Sequence, residues 1–175
     1  NVAETQTVLW ARMLDRLAGD SPPAIICVDP RLTPVARHAT VHLAPQPGTN
    51  VALMNGLLHE IIGHGWIDQD YIDTHTVGFD ELRNRVEEFP PERVADICGV
   101  AVDDIRRAAR LLGTAKRLMS TVLQGFYQSH QATAAAVQVN NIHLVRGMLG
   151  KPGCGVLQMN GQPTAENTRE CGANG

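Results

Sequence analysis

The run Ala24-Ile25-Ile26-Cys27-Val28, bracketed by Ser21-Pro22-Pro23 before it and Asp29-Pro30 after it, constrains this chain more than any other stretch. An unbroken apolar run this short, closed at both ends by turn formers, lacks the alternation of a strand with one wet face. It suits a strand buried on both faces, the habit of parallel sheets. Parallel strands need a crossover between them, and the sequence supplies helical patterns in the right places. Trp10, Met13, Leu14 and Leu17 recur at helical spacing and predict a helix over 3–18, stopped by Gly19 and the prolines. Thr33 and Pro34 then open a short helix over 33–39, and Val41-His42-Leu43 reads as a second strand. Helix, strand, helix, strand is the order of an α/β fold, a parallel sheet flanked by helices.

Beyond the turn Pro45-Gln46-Pro47-Gly48, Leu53, Met54, Leu57, Leu58, Ile61 and Ile62 lay one broad apolar stripe on a helix. Its cap is Thr49 or Asn50, and it stops near Gly63 and Gly65. Short helices are expected over 69–74, 80–88, 91–97 and 102–112, the last with Ile105, Ala108, Ala109 and Leu112 on one face. Strand character returns over 118–123. After Gln124-Gly125 a long helix is expected over 131–149, ended by Gly150-Lys151-Pro152-Gly153. Residues 1–67 and 113–175 therefore read as α/β parts and 68–112 as a helical insertion. The closing stretch from Met159 to Gly172 is polar and punctuated by glycine, so it cannot be core, and we expect something outside this chain to complete it.

Composition narrows the classes. With 43% hydrophobic and 19% charged residues, the chain can bury a real core. A net charge of -3, with Lys and Arg scattered, gives no footprint for nucleic acid. No apolar run approaches the roughly 20 residues that span a bilayer, so membrane insertion is not expected. The first residue is Asn1, and neither a basic segment nor a long apolar one follows, so the true N-terminus is expected upstream. Cys27, Cys98, Cys154 and Cys171 are far apart with no CxxC pair, the pattern of reduced thiols.

Several constellations bear on chemistry. His59-Glu60-Ile61-Ile62-Gly63-His64 imitates a zinc-binding helix, but histidines five apart are separated by about 140° around a helix, so they do not share a face. Asp29 follows a buried strand, where doubly wound folds hold a nucleotide ribose; the bland reading of Asp29-Pro30 is a turn with a helix cap. Pro47-Gly48-Thr49-Asn50 offers backbone N–H groups at a helix start, either as a nucleotide contact or as a plain turn and cap. There is no GxGxxG and no Walker loop. Gln124-Gly125-Phe126-Tyr127-Gln128 sits between a strand and a helix, the usual ligand edge, with functional and structural readings both open. In the closing segment Gln162, Asn167 and Arg169 supply donors without a base or nucleophile, which suits binding an anion or a polar cofactor.

Taken together, blocks spread over essentially the whole chain resemble the prokaryotic molybdopterin oxidoreductases of the dimethyl-sulfoxide-reductase type, the family that includes nitrate reductases and formate dehydrogenases. They are Asn1-Val2-Ala3-Glu4, Val28-Asp29-Pro30-Arg31-Leu32-Thr33, Pro47 through Leu57, Phe79-Asp80-Glu81-Leu82, Pro91-Glu92-Arg93-Val94-Ala95, Asp104-Ile105-Arg106, Gly147 through Gly153 and Gly161-Gln162-Pro163. The resemblance implies an internal piece of a larger catalytic subunit whose molybdenum ligand and 4Fe-4S cluster lie upstream. It implies no metal ligand here and no turnover by this piece alone.

By the same resemblance, this region binds molybdopterin guanine dinucleotide with molybdenum. Asn1 and Glu4 would lie near the pyrophosphate, Asp29 and Arg31 near the guanosine ribose, and Thr49 and Asn50 near the guanine, where many relatives have Asp in place of Asn50. Gln124, Gly125 and Gln128 look like the loop that approaches the pterin and the metal. Formate dehydrogenases usually carry Arg where Asn160 stands. Gly161-Gln162-Pro163, with Arg169 following, resembles the assimilatory nitrate reductases. That makes Gln162 and Arg169 the candidates for the substrate funnel, with Arg169 drawing in a small anion; the alternative is that Arg169 pairs with pterin or protein carboxylates. The implied partners are the rest of the catalytic subunit and an electron-donor protein or domain, and the implied place is the cytoplasm. A formate dehydrogenase-like enzyme and a non-catalytic nucleotide-binding module are the competing readings.

Overall fold

The computed structural model describes residues 1–159. The first helical stretch is two helices, α1 (Val2–Thr5) and α2 (Thr7–Leu17), not one. The chain breaks between them at Gln6, whose φ of -131° and ψ of 54° leave the helical region. The break lets Val2 and Trp10 both reach one small buried cluster with Cys27, Val35 and Ala36. Those last three belong to β1 (Ile26–Val28) and the crossover helix α3 (Pro34–Arg37), which leads to β2 (Val41–Leu43). Thr33 caps α3 as its position before Pro34 predicts, its hydroxyl accepting from the Ala36 N–H at 3.2 Å.

Strands β1 and β2 pair in parallel, Ile26 opposite Val41 and Val28 opposite Leu43. After the Gly48 turn, whose φ of +90° favours glycine, α4 (Asn50–Gly63) runs through the main core with Leu53, Leu57, Leu58 and Ile61 buried. After α5 (Gln69–His75), three helices pack against α4: α6 (Phe79–Glu87), α7 (Pro91–Cys98) and α8 (Val102–Thr114). The predicted face of α8, with Ile105, Ala108, Ala109 and Leu112, is the buried one. Gly56 of α4 admits the Val94 side chain of α7 so closely that a Cβ there would stand 2.7 Å from Val94 Cγ2.

Strand β3 (Met119–Val122) follows, then the single turn α9 (Gln124–Tyr127), the helix α10 (Ala132–Val145) and β4 (Gly155–Gln158). Helix α10 stops four residues short of the expected 149 because Gly147, at φ +58°, turns the chain. Strand β4, for which the sequence offered no periodic signal, pairs in parallel with β3, Met119 opposite Gly155 and Val122 opposite Gln158. The fold is α/β, with small parallel sheets flanked by helices. Among the described residues these are two two-stranded sheets rather than one continuous sheet. Leu123 joins them through side chains, packing at the end of β3 onto the cluster beneath β1. No helix of the described residues is long and apolar enough to cross a membrane.

Candidate functional site

Parallel strands deliver their carboxyl ends to one edge, and the turns that leave that edge are where α/β folds bind ligands. At the end of β1, the Asp29 N–H extends the ladder to the Leu43 carbonyl at 3.1 Å. Its side chain is mostly covered, 18% exposed, and Oδ1 accepts from the Arg31 N–H at 2.9 Å, with Arg31 Nε 3.7 Å away. This is the turn that Asp29-Pro30 predicts, and it presents the carboxylate at the edge with the exposed Arg31 guanidinium alongside. His42 of β2, with no role assigned from its sequence, steadies the same turn: its Nε2 lies 2.8 Å from the Asp29 carbonyl.

Asn1 opens α1, whose Val2 packs with Cys27 of β1. Its Oδ1 accepts from the Ala3 N–H at 3.1 Å and caps α1, while Nδ2 is buried without a partner among the described residues. A buried amide donor left unpaired costs about 1–3 kcal/mol. Glu4 lies exposed on the same short helix. Cys27, beneath the edge, is held above the ordinary thiol range by burial and then by the Asp29 charge, which leaves it a neutral thiol. Burial raises Cys98 in the same way. Neither has the thiolate character of a nucleophile or metal ligand.

The expected side-chain cap of α4 by Thr49 or Asn50 is not made. Thr49 turns its hydroxyl back to donate to the Gln46 carbonyl at 2.7 Å. The same turn is pinned from below, where Gln46 N–H donates to the Cys98 carbonyl at 2.8 Å. Asn50 is the first residue inside α4, and its Nδ2 donates to the Gly125 carbonyl at 3.0 Å. The edge of the first sheet and the turn after β3 are thereby in contact. Gln124, half-buried, opens that turn, and the exposed Gln128 closes it by donating its N–H to the Gln124 carbonyl at 2.9 Å. Tyr127 reaches from the turn to the end of β4, donating its hydroxyl to the Met159 carbonyl at 2.6 Å. No local pattern marks Tyr127 for this, since its partner lies 32 residues away, just past β4.

The structure thus places Asp29 and Arg31 on the turn after β1, Thr49 and Asn50 at the start of α4, Gln124 and Gly125 in α9 with Gln128 closing it, and Asn1 and Glu4 at α1, and it brings Asn50 and Gly125 into contact. Gly161, Gln162 and Arg169 lie outside the described residues. His59 and His64 are occupied separately, His59 Nδ1 2.9 Å from the Val86 carbonyl and His64 stacked on Trp66. Among the described residues, no group of three or more His, Cys, Asp or Glu side chains could hold a metal ion. A shallow cavity of about 510 Å³ between Asp68, Lys116, Arg146 and Lys151 lies at the other end of β3 and belongs to a different surface.

Residues 1–174 match the molybdopterin oxidoreductase family. The chain is 36% identical over 172 residues to a nitrate reductase of Synechocystis sp., covering 98% of this chain and 24% of that protein. It is 36% identical over 149 residues to formate dehydrogenase H of Escherichia coli, covering 85% of this chain and 21% of that protein. It thus spans about a quarter, or less, of the length of these curated relatives. Among solved structures, acetylene hydratase from Pelobacter acetylenicus superposes with a TM-score of 0.72 at 28% identity, covering 74% of this chain and 18% of that one.

Proposed function

The chain belongs to the molybdopterin oxidoreductase family, and on that premise we propose that it is the part of a molybdenum nitrate reductase that holds a molybdopterin guanine dinucleotide. The observation that supports this reading most is the pairing of a buried donor, Asn1 Nδ2, without a partner among the described residues, on the helix whose Val2 packs with Cys27 of β1, and an acceptor, the Asp29 carboxylate at the end of β1, groups suited to a pyrophosphate and a ribose. In this reading Asn1 donates to the pyrophosphate with Glu4 nearby, Asp29 accepts from the ribose hydroxyls, and Arg31 adds charge beside them. Thr49 and Asn50 stand by the guanine, and the turn bearing Gln124, Gly125 and Gln128 faces the pterin and the metal.

The bound group would supply two-electron chemistry by which nitrate, two electrons and two protons give nitrite and water. This chain's share is to bind and orient. Residues 1–67 and 113–175 form the binding parts, with 68–112 as the helical insertion. Gln162 and Arg169 guide a small anion toward the reacting end, Arg169 by charge. The metal ligand and any 4Fe-4S cluster belong to the rest of the catalytic subunit, the electrons come from a donor protein or domain, and the place is the cytoplasm. Nitrate is preferred over formate because Asn160 stands where formate dehydrogenases usually carry Arg.

The test is metal and pterin analysis of the complete protein purified from its natural host, with nitrate- and formate-dependent dye assays on the same sample. Molybdenum, guanine dinucleotide and nitrate turnover support the reading. Formate turnover shifts the substrate, and the absence of metal and pterin would leave a nucleotide-binding fold without catalysis.

A further inference from the structure

Helix α9 is a single turn of four residues, far too short to hold itself. Its amide bonds are local, from Phe126 to the Leu123 carbonyl and from Gln128 to the Gln124 carbonyl, both at 2.9 Å. Gly125 is not held in a left-handed conformation, and a Cβ on it would meet nothing within 4 Å, so neither strain nor crowding sets the turn. Phe126 and Tyr127 pack against the main core, and the Tyr127 hydroxyl donates to the Met159 carbonyl at 2.6 Å, which holds one side of the turn. The Gly125 side is met by Asn50, whose Nδ2 donates to the Gly125 carbonyl at 3.0 Å across 75 residues of sequence. Asn50 is well placed to act as a strut, because α4 is anchored in the main core by Leu53, Met54 and Leu57.

We propose that Asn50 is a positioning residue: its side-chain amide fixes the Gln124–Tyr127 turn through the Gly125 carbonyl, a bond that a carboxylate at this position cannot make. An Asp side chain has no donor at neutral pH, and its oxygens would face the carbonyl oxygen across the same gap. Yet Asp would suit α4 itself, whose first turn carries no acid to meet the helix dipole. The two effects oppose each other, so Asn50→Asp separates a strut from a residue serving its own helix. The catalytic consequence rests on the reading above, in which this turn faces the reacting end of the cofactor.

The experiment is hydrogen exchange, turnover and pterin content measured on the complete protein with Asn50→Asp, and with Asn50→Ala as a second variant that removes the donor without adding charge. The bond's loss should speed exchange at the Phe126 and Gln128 amides by about tenfold. Amides in the middle of α8 should stay unchanged, and turnover per bound pterin should fall, a ratio that separates the turn from any change in cofactor content caused by the same side chain standing by the guanine. Unchanged exchange at Phe126 and Gln128 in both variants overturns the proposal, as does an unchanged turnover per bound pterin. If the unaltered protein holds no molybdenum or pterin, the functional reading fails while the exchange comparison still decides the strut.

Discussion

His143 Nε2 lies 2.9 Å from Ser120 Oγ, so the one imidazole with no exposed surface on α10 is bonded to the inner face of β3. Its other nitrogen, Nδ1, is buried without a partner among the described residues. Burial pushes the His143 pKa down to about 4. An unfolded histidine titrates near 6.5, so the unfolded chain takes up the proton first. The stabilisation is therefore fully present above about pH 6.5 and is lost as pH falls toward 4. Unfolding free energies from urea titrations should decline as pH falls across that window with a slope approaching about 1.4 kcal/mol per pH unit, and His143→Gln should flatten the profile. An equal slope in both proteins would remove His143 as the cause.

Arg146 ties three chain segments together. Nε, Nη1 and Nη2 donate to the carbonyls of Leu112, Trp66 and Ala115 at 3.2, 3.2 and 2.9 Å. A lysine carries one ammonium and cannot span three acceptors held in a fork. Arg146→Lys should cost about 2–3 kcal/mol in denaturant unfolding, although charge is conserved. A loss below about 0.5 kcal/mol would mean that the guanidinium geometry is unimportant.

Gly113 lies inside α8 against Trp66, and a Cβ there would run into the indole ring. Alanine would gain up to about 1 kcal/mol in helix propensity. Overpacking at a buried contact typically costs about 1–3 kcal/mol, so the clash should win. Gly113→Ala should lower thermal stability; a rise in the midpoint would show that Trp66 swings aside freely.

Asp29→Asn keeps an oxygen to accept from the Arg31 N–H and so should preserve the turn. It removes the charge that strengthens bonds to ribose hydroxyls. In the complete protein, guanine dinucleotide retention after dialysis should fall, as expected of about a tenfold weaker hold, with unfolding stability little changed. Full retention would take Asp29 out of the binding site.

If Arg169 guides an anion by charge, Arg169→Gln in the complete protein should raise KM for nitrate by about tenfold and blunt its dependence on ionic strength, with kcat less affected. A fall in kcat and pterin content together, at constant KM, would instead assign Arg169 to the cofactor.

The sequence by itself determined the α/β order, the crossover helix capped by Thr33, the buried stripes of α4 and α8, and Asp29 at a strand end. Each is a local matter, set by side-chain period, turn chemistry or burial within a few residues. Resemblance of whole blocks to a family carried the rest of the functional reading. Only the tertiary structure decided what meets what: the break at Gln6 that seats Val2 and Trp10 together, the pairing of β4 with β3, His42 against Asp29, and Tyr127 against Met159. It also turned Asn50 from an expected helix cap into a contact with Gly125. A donor and an acceptor far apart in sequence find one another only after the core between them has packed, and no local pattern encodes that choice.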